Sequence, residues 1–409
     1  NRSSDLSPCV KDVLKAKQQE LQQVNVSKQH LFTMPTTNLF GQGTIQQVGK
    51  YLVQFECKKT LLVTDEGLYN LGIADQIASI IRAADVEVEI FPKAEPNPTD
   101  KNVHDGIAAY KAAGCDSIVS LGGGSSHDAA KGIGLLASNG GRIHDYEGVD
   151  KSENPLVPYI AINTTAGTAS EMTRFTIITD TERSVKMAIV DKHVTALVSI
   201  NDPTLMIGLP PALTAATGVD ALTHAVESYV STNASPITDA CAEKVFQIIP
   251  KYLPRAYSNG EDFEAREQMV YAQFLAGMAF NNASLGYVHA IAHQLGGFYN
   301  YPHGVCNAIL LPHVCRFNLV GREERFARIA ELLGENIEGL SVREAAEKAI
   351  TRIECLTEDL NIPTGFKELG AREEDIQTLA ENAMKDVCAA TNPRKATLED
   401  VMEIIRQAY

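Results

Sequence analysis

At Pro210-Pro211 the chain changes its periodicity, and that change limits the folds open to it. From residue 35 to about 208, short β-branched runs alternate with helix-like stretches: TLLVTD (60–65), VEVEIF (86–91), SIVSLG (117–122) and YIAIN (159–163). This is the rhythm of βαβ units, in which parallel strands are buried between helices. FTIITD (175–180) and VKMAIVD (185–191), separated by a short polar stretch, read as a hairpin appended to the parallel sheet, and ALVSIND (196–202) as one more strand. Residues 211–409 are long runs rich in Ala, Leu, Glu and Gln with few β-branched clusters, which predicts an almost wholly helical domain. A length of 409 residues suits two cores better than one. The expected architecture is a doubly wound, Rossmann-like α/β domain over residues 31–209 followed by an all-α domain over residues 210–409.

Residues 1–30 stand apart as a basic N-terminal extension. They carry five Lys/Arg against three Asp/Glu, whereas the chain as a whole carries 36 against 51. Ser7-Pro8 reads as a helix start, and Leu6, Val10, Val13, Leu14, Leu21 and Val24 follow a helical stripe. Such a helix lies against its own protein or an oligomer neighbour, or docks to a partner or compartment. The net charge of −15 repels phosphate backbones, which argues against nucleic acid. No apolar run is long enough for a membrane span, and no signal-peptide pattern is present, so a cytoplasmic protein is expected. The eight cysteines are scattered, form no C-x-x-C pair and read as reduced thiols; a thiolate zinc site lacks its paired cysteines.

The stretch SIVSLGGGSSHDAAKGIGLLA (117–137) runs from a strand through glycines into a helix, an arrangement that offers free backbone N–H groups to a phosphate. Gly122, Gly123, Gly124 and Ser125 make the turn; His127 stands where the third glycine of a G-x-G-x-x-G fingerprint belongs. Asp65, at the end of an earlier strand, has two oxygens for the ribose hydroxyls of an adenosine, or else caps the next helix. NTTAGTASEMT (163–173) is a second Gly/Thr-rich turn after a strand. One dinucleotide lying across several strand ends accounts for all three features.

In GVDALTHAVESY (218–229), Asp220 and His224 are four residues apart and share a helical face. GYVHAIAHQLGGFYNYPHGVCNA (286–308) adds His289 and His293, again four apart, and then His303 in a Pro/Gly-bounded loop. One histidine alone is more often a satisfied core group; this many beside an Asp–His pair point to a metal site. H-x-x-x-H also occurs on zinc-protease helices, but residue 290 is Ala, so the general-base glutamate of a hydrolase is missing. One carboxylate with several imidazoles suits iron(II), zinc, cobalt or manganese alike.

Taken together and in order, GGGSSHDAAK, NTTAGTASEMTRF, DALTHAVE and GYVHAIAHQLGGFYNYPHG resemble the iron-containing, or group III, alcohol dehydrogenase family over about residues 33–409. The resemblance implies an NAD-linked oxidoreductase that interconverts small alcohols or diols and aldehydes. Its metal is ferrous iron, with zinc the alternative, held by Asp220, His224, His289 and His303. It further implies that His293 binds no metal but lies beside the nicotinamide and relays protons. The cofactor contacts implied are Asp65 on the adenosine ribose, Asn97, Gly124 and Ser125 around the phosphates, and Thr164 and Thr165 near the phosphates or adenine. Thr173, Phe175, Lys186, Leu205 and Gly208 also match cofactor-lining positions, and Gly123 belongs to the turn itself. A glycerol-dehydrogenase or dehydroquinate-synthase type of enzyme shares this layout but differs in its ligand set. A homodimer or larger homo-oligomer is the default assembly.

Overall fold

The structure, a computed structural model, describes residues 30–35 and 37–409; the helix expected within residues 1–30 lies outside them. Six strands pair in parallel: β1 (Thr37–Phe40), β2 (Lys59–Val63), β3 (Glu87–Phe91), β4 (Ser117–Gly122), β6 (Tyr159–Asn163) and β9 (Val198–Asn201). Their order is β1-β9-β6-β4-β2-β3. Alternate side chains point to opposite faces: Leu61, Val63, Tyr159 and Ala161 join one apolar cluster, and Leu62, Ile160 and Ile162 the other. Both faces are therefore covered, as a parallel sheet requires. The covering helices are α1 (Val48–Gln54), α2 (Glu66–Asn70), α3 (Ile73–Arg82), α4 (Asp100–Ala113) and α5 (Gly124–Asn139).

The hairpin departs from expectation. β7 (Phe175–Asp180) and β8 (Val185–Val190) do not extend the parallel sheet; they form a separate three-stranded sheet, β5-β8-β7, with the short β5 (Gly148–Val149). The reason is visible in burial: β7 alternates buried and half-buried residues, whereas β4 and β6 are buried throughout. A strand covered on one face only pairs best in a small antiparallel unit. Strand β1 was not anticipated either. Its four residues, TNLF, are half-exposed at the sheet edge and carry no β-branched signal beyond Thr37.

The chain leaves β2 toward β3 on one side and leaves β4 toward β6 on the other. The carboxyl ends of β2 and β4 thus flank the point where connections diverge, which is where doubly wound sheets bind ligands.

From Pro211 onward the described residues are helical: α6 (Pro211–Val230), α7 (Pro236–Ser258), α8 (Phe263–Ala283), α9 (Tyr287–Tyr299), α10 (His303–Asn318), α11 (Glu323–Leu332), α12 (Val342–Asp359), α13 (Ile376–Ala383) and α14 (Leu398–Gln407), linked by 3-10 turns. Helix α6 is the centre of this half, buried at every position from Gly218 to Val230. Polar side chains on it must find partners inside the protein. No helix of the described residues is long and apolar enough to cross a membrane.

Candidate metal and nucleotide site

Helix α6 presents Asp220, His224 and Glu227 at positions i, i+4 and i+7, a stripe that runs along one face. Helix α9 brings in His289, and α10 begins at His303. The Nε2 atoms of His224, His289 and His303 lie 3.9, 3.8 and 3.8 Å from a single oxygen, Asp220 Oδ1. These distances exceed a hydrogen bond, so the four groups converge without satisfying one another directly. Burial pushes His224 down to about 4, His289 down to about 3, and His303 well below the usual range. At neutral pH all three imidazoles are uncharged and offer lone pairs. Three neutral imidazoles and one carboxylate make a donor set for a divalent transition metal.

The groups behind these four were not singled out in the sequence. Glu227 Oε2 lies 2.6 Å from His289 Nδ1, and its Oε1 accepts from the Val288 amide at 2.7 Å. Nδ1–H therefore donates to Glu227, and Nε2 keeps its lone pair toward Asp220. Burial pushes Glu227 up to about 7. A Cβ on Gly286 would fall 2.8 Å from Glu227 Oε1 and 2.6 Å from Asn392 Oδ1, so only glycine admits this close approach. Asn307, one turn after His303 on α10, is not behind but among them: its Nδ2 donates to Asp220 Oδ1 at 2.6 Å and lies 3.0 and 3.1 Å from the Nε2 atoms of His289 and His303. Glu227→Gln should lower metal affinity by about 10- to 100-fold while the protein stays folded, because the acceptor survives but its charge does not. Chelator competition on the purified variant measures this, and an unchanged affinity would refute the role.

His293 is placed differently. One turn beyond His289 on α9, its Nδ1 meets Asp386 Oδ2 at 2.9 Å, and it groups with Asp386 and Cys388 rather than with Asp220. It lines a cleft that His224, His289 and His303 also line. Phe280, Leu285 and Val387 supply an apolar wall, and Phe280 stacks on His224 with ring centroids 4.2 Å apart.

The same cleft runs to the glycine turn, where Gly124 and Ser125 line it. β4 ends at Gly122 and α5 starts at Gly124, so the first backbone amides of a 16-residue helix face the opening. A Cβ on Gly123 would meet Thr165 Oγ1 at 3.0 Å, and one on Gly124 would meet Thr168 Cγ2 at 2.9 Å. The two glycine-rich turns are packed against each other with no room for side chains. Thr164 is tied in by its amide, which donates to Gly122 O at 3.0 Å. His127 is structural: buried beneath the turn, its Nδ1 meets Ser120 Oγ at 2.7 Å, and burial holds it down at about 3.

Asn97, Thr173, Phe175 and Lys186 line the cleft. Lys186 Nζ donates to Asn97 Oδ1 at 2.7 Å. Asp65 caps α2, accepting from the Leu68 amide at 2.9 Å, while its other oxygen lies 3.5 Å from where a Gly122 Cβ would be. It thus stands at the diverging strand ends rather than deep in the cleft. Leu205 and Gly208 do not line it: Leu205 packs against the apolar cluster on one face of the sheet, and Gly208 sits at φ +77° in a turn. Asp128, Thr168 and Ser170 do line it, unforeseen. Asp128 accepts from Ser170 Oγ at 2.7 Å and from the Ile177 amide at 3.1 Å, fastening α5 to β7.

Comparison with known proteins places this geometry. Residues 35–203 match the family described as iron-containing alcohol dehydrogenase, and residues 214–409 the C-terminal part of the Fe-containing alcohol dehydrogenase family. The chain is 52% identical over 377 residues to the NAD-dependent methanol dehydrogenase of Bacillus methanolicus, covering 92% of this chain and 99% of that one. It is also 52% identical over 380 residues to 1,3-propanediol dehydrogenase of Klebsiella pneumoniae, covering 92% and 98%. A crystal structure of 1,3-propanediol oxidoreductase superposes with a TM-score of 0.91 at 52% identity, covering 93% of this chain and all of that one.

Proposed function

The chain belongs to the iron-containing alcohol dehydrogenase family, and from that premise we propose that it interconverts short-chain primary alcohols or diols and aldehydes by hydride transfer with NAD(H). Asp220, His224, His289 and His303 hold a divalent metal, ferrous iron by family. Residues 31–209 bind the nucleotide, and residues 210–409 bind metal and substrate. The observation that carries this reading is the convergence of three neutral imidazoles on Asp220 Oδ1 in the same cleft as the glycine turn. A divalent ion held there supplies a Lewis acid to the alcohol or aldehyde oxygen.

The rest is work for the chain's own side chains. Gly123, Gly124 and Ser125, with Thr164 and Thr165 behind them, receive the phosphates at the start of α5. Asn97, Thr173, Phe175 and Lys186 wall the nicotinamide end, and Leu205 and Gly208 are assigned by family to the cofactor's surroundings. Asp386 fixes His293 through Nδ1, leaving Nε2 to exchange the proton of the reacting hydroxyl. The apolar wall of Phe280, Leu285 and Val387 keeps water from the reacting carbon and suits a short carbon chain. The same proposal has the chain acting as a cytoplasmic homodimer or larger homo-oligomer, which light scattering on purified protein checks. A steady-state survey of short alcohols and aldehydes with NAD and NADP, in ferrous iron, tests the whole; no turnover of any alcohol would overturn it.

NAD preference is assigned to Asp65, whose carboxylate repels a 2′-phosphate. Asp65→Gly should shift the ratio of catalytic efficiencies toward NADP by about tenfold or more, an energy of about 1.4 kcal/mol. Glycine is the useful replacement because it costs a helix N-cap only a few tenths of a kcal/mol. A ratio equal to the parent's would remove Asp65 from the assignment.

A further inference from the structure

A second cluster lies away from the Asp220 centre, where α4, the turn at Ile143–Tyr146 and the end of β7 meet. His144 Nε2 lies 3.4 Å from Asp100 Oδ2 and 3.5 Å from Asp180 Oδ2. Both separations are too long for hydrogen bonds. They match the edge of a tetrahedron around an ion bonded at about 2.1 Å to each ligand, which is about 3.4 Å. Neither nitrogen of His144 has a hydrogen-bond partner, although both atoms are shielded from solvent. A buried imidazole left unpaired beside two carboxylates is costly unless something sits between them.

The remaining contacts hold the ligands without using up their free positions. Asp100 Oδ1 accepts from the Lys101 amide at 2.9 Å and from Thr181 Oγ1 at 3.0 Å, which leaves Oδ2 turned to the cluster. Asp180 Oδ1 accepts from the Glu182 and Arg183 amides at 2.9 and 3.0 Å. Asp180 Oδ2 meets Arg183 Nε with one lone pair and has a second to offer. His104 lies near-parallel to His144, ring centroids 6.3 Å apart. The side chains of His144, Asp100 and Asp180 are 18%, 11% and 2% exposed, so the cluster is enclosed, with His144 its most exposed member.

We propose that Asp100, His144 and Asp180 form a second divalent transition-metal site, structural in role. One imidazole and two carboxylates accept zinc, manganese or iron(II), with water completing the shell. The location gives the ion a task. Asp100 follows Asn97 and Pro98, and Asp180 ends the strand that carries Phe175 and Ile177, all four of them cleft-lining residues. The Thr179 amide to Pro98 O bond, 2.8 Å, the Thr99–Thr179 bridge and the Thr181 Oγ1 to Asp100 Oδ1 bond already join these segments there. An ion on this cluster staples two walls of the nucleotide cleft.

The test uses the full chain, equilibrated with excess Zn²⁺, desalted and analysed for total iron plus zinc. Asp100→Asn, which keeps the Oδ1 contacts, and His144→Gln should each carry one ion fewer per chain than the parent. Added Zn²⁺ should raise the thermal midpoint of the parent by more than that of either variant. Because the readout is a difference, it stands apart from whether the Asp220 centre is filled. If Asp100→Asn does not fold, His144→Gln decides. Equal metal counts in the parent and the folded variants would leave an ordinary polar cluster and overturn the proposal.

Discussion

His289→Ala should lose its metal and its turnover together, whereas His293→Ala should lose turnover and keep its metal. The two side chains are one helical turn apart on α9, yet His289 Nε2 faces Asp220 and His293 is drawn aside by Asp386. A four-ligand ion is bound by about 10–16 kcal/mol, so one ligand is worth roughly 3 kcal/mol, about 100-fold or more in affinity. His289→Ala also strands Glu227, a buried carboxyl that loses its imidazole partner, so its metal content has to be read beside a folding check. In His293→Ala the loss belongs to proton exchange, about 10²- to 10⁴-fold in turnover, with a changed pH–rate profile. Elemental analysis of both purified variants, with their pH profiles, settles the matter. Equal depletion of metal in the two would make His293 a ligand and the four-residue site wrong.

Chelation should abolish turnover, and ferrous salt should restore it, with the fold persisting throughout. The proposed ligands stand on α6, α9 and α10, whose apolar faces belong to one core cluster held together by hydrophobic burial. Circular dichroism of the chelated protein should match the parent, while its thermal midpoint falls by the binding linkage. With iron in the site, activity should decay in air faster than the helical signal. Full activity in a preparation proven free of transition metal would remove the metal from the mechanism.

What the sequence discloses tracks how local each feature is. The change at Pro210-Pro211 announces an α/β half and a helical half because each has its own periodicity. Asp220 with His224 is legible as a helical pair, and Glu227 was legible by the same rule, three residues on, though buried glutamates are rare enough to be passed over. Asn307 sits four residues after His303 and could have been found likewise. Asp386 could not: it stands 93 positions from its partner His293, in a short turn with no periodicity of its own. The hairpin's strands are legible but their sheet is not, since pairing between distant strands leaves little trace in either. Thr173, Phe175, Lys186, Leu205 and Gly208 are implied by resemblance alone; the first three line the cleft and the last two do not.

The helical frame beneath Asp220 also bears on which metal this protein carries. The three helices that carry the proposed ligands share one close-packed apolar core, so the cage keeps its shape and does not remould around a guest. Divalent metals that accept nitrogen and oxygen donors follow a common affinity order in which iron(II) ranks low. A preformed cage acts on that order through its geometry and ligand type, alongside the supply of each ion. Because the frame keeps its shape without the ion, the metal carried is exchangeable after folding and follows the supply of the surroundings as well as the cage.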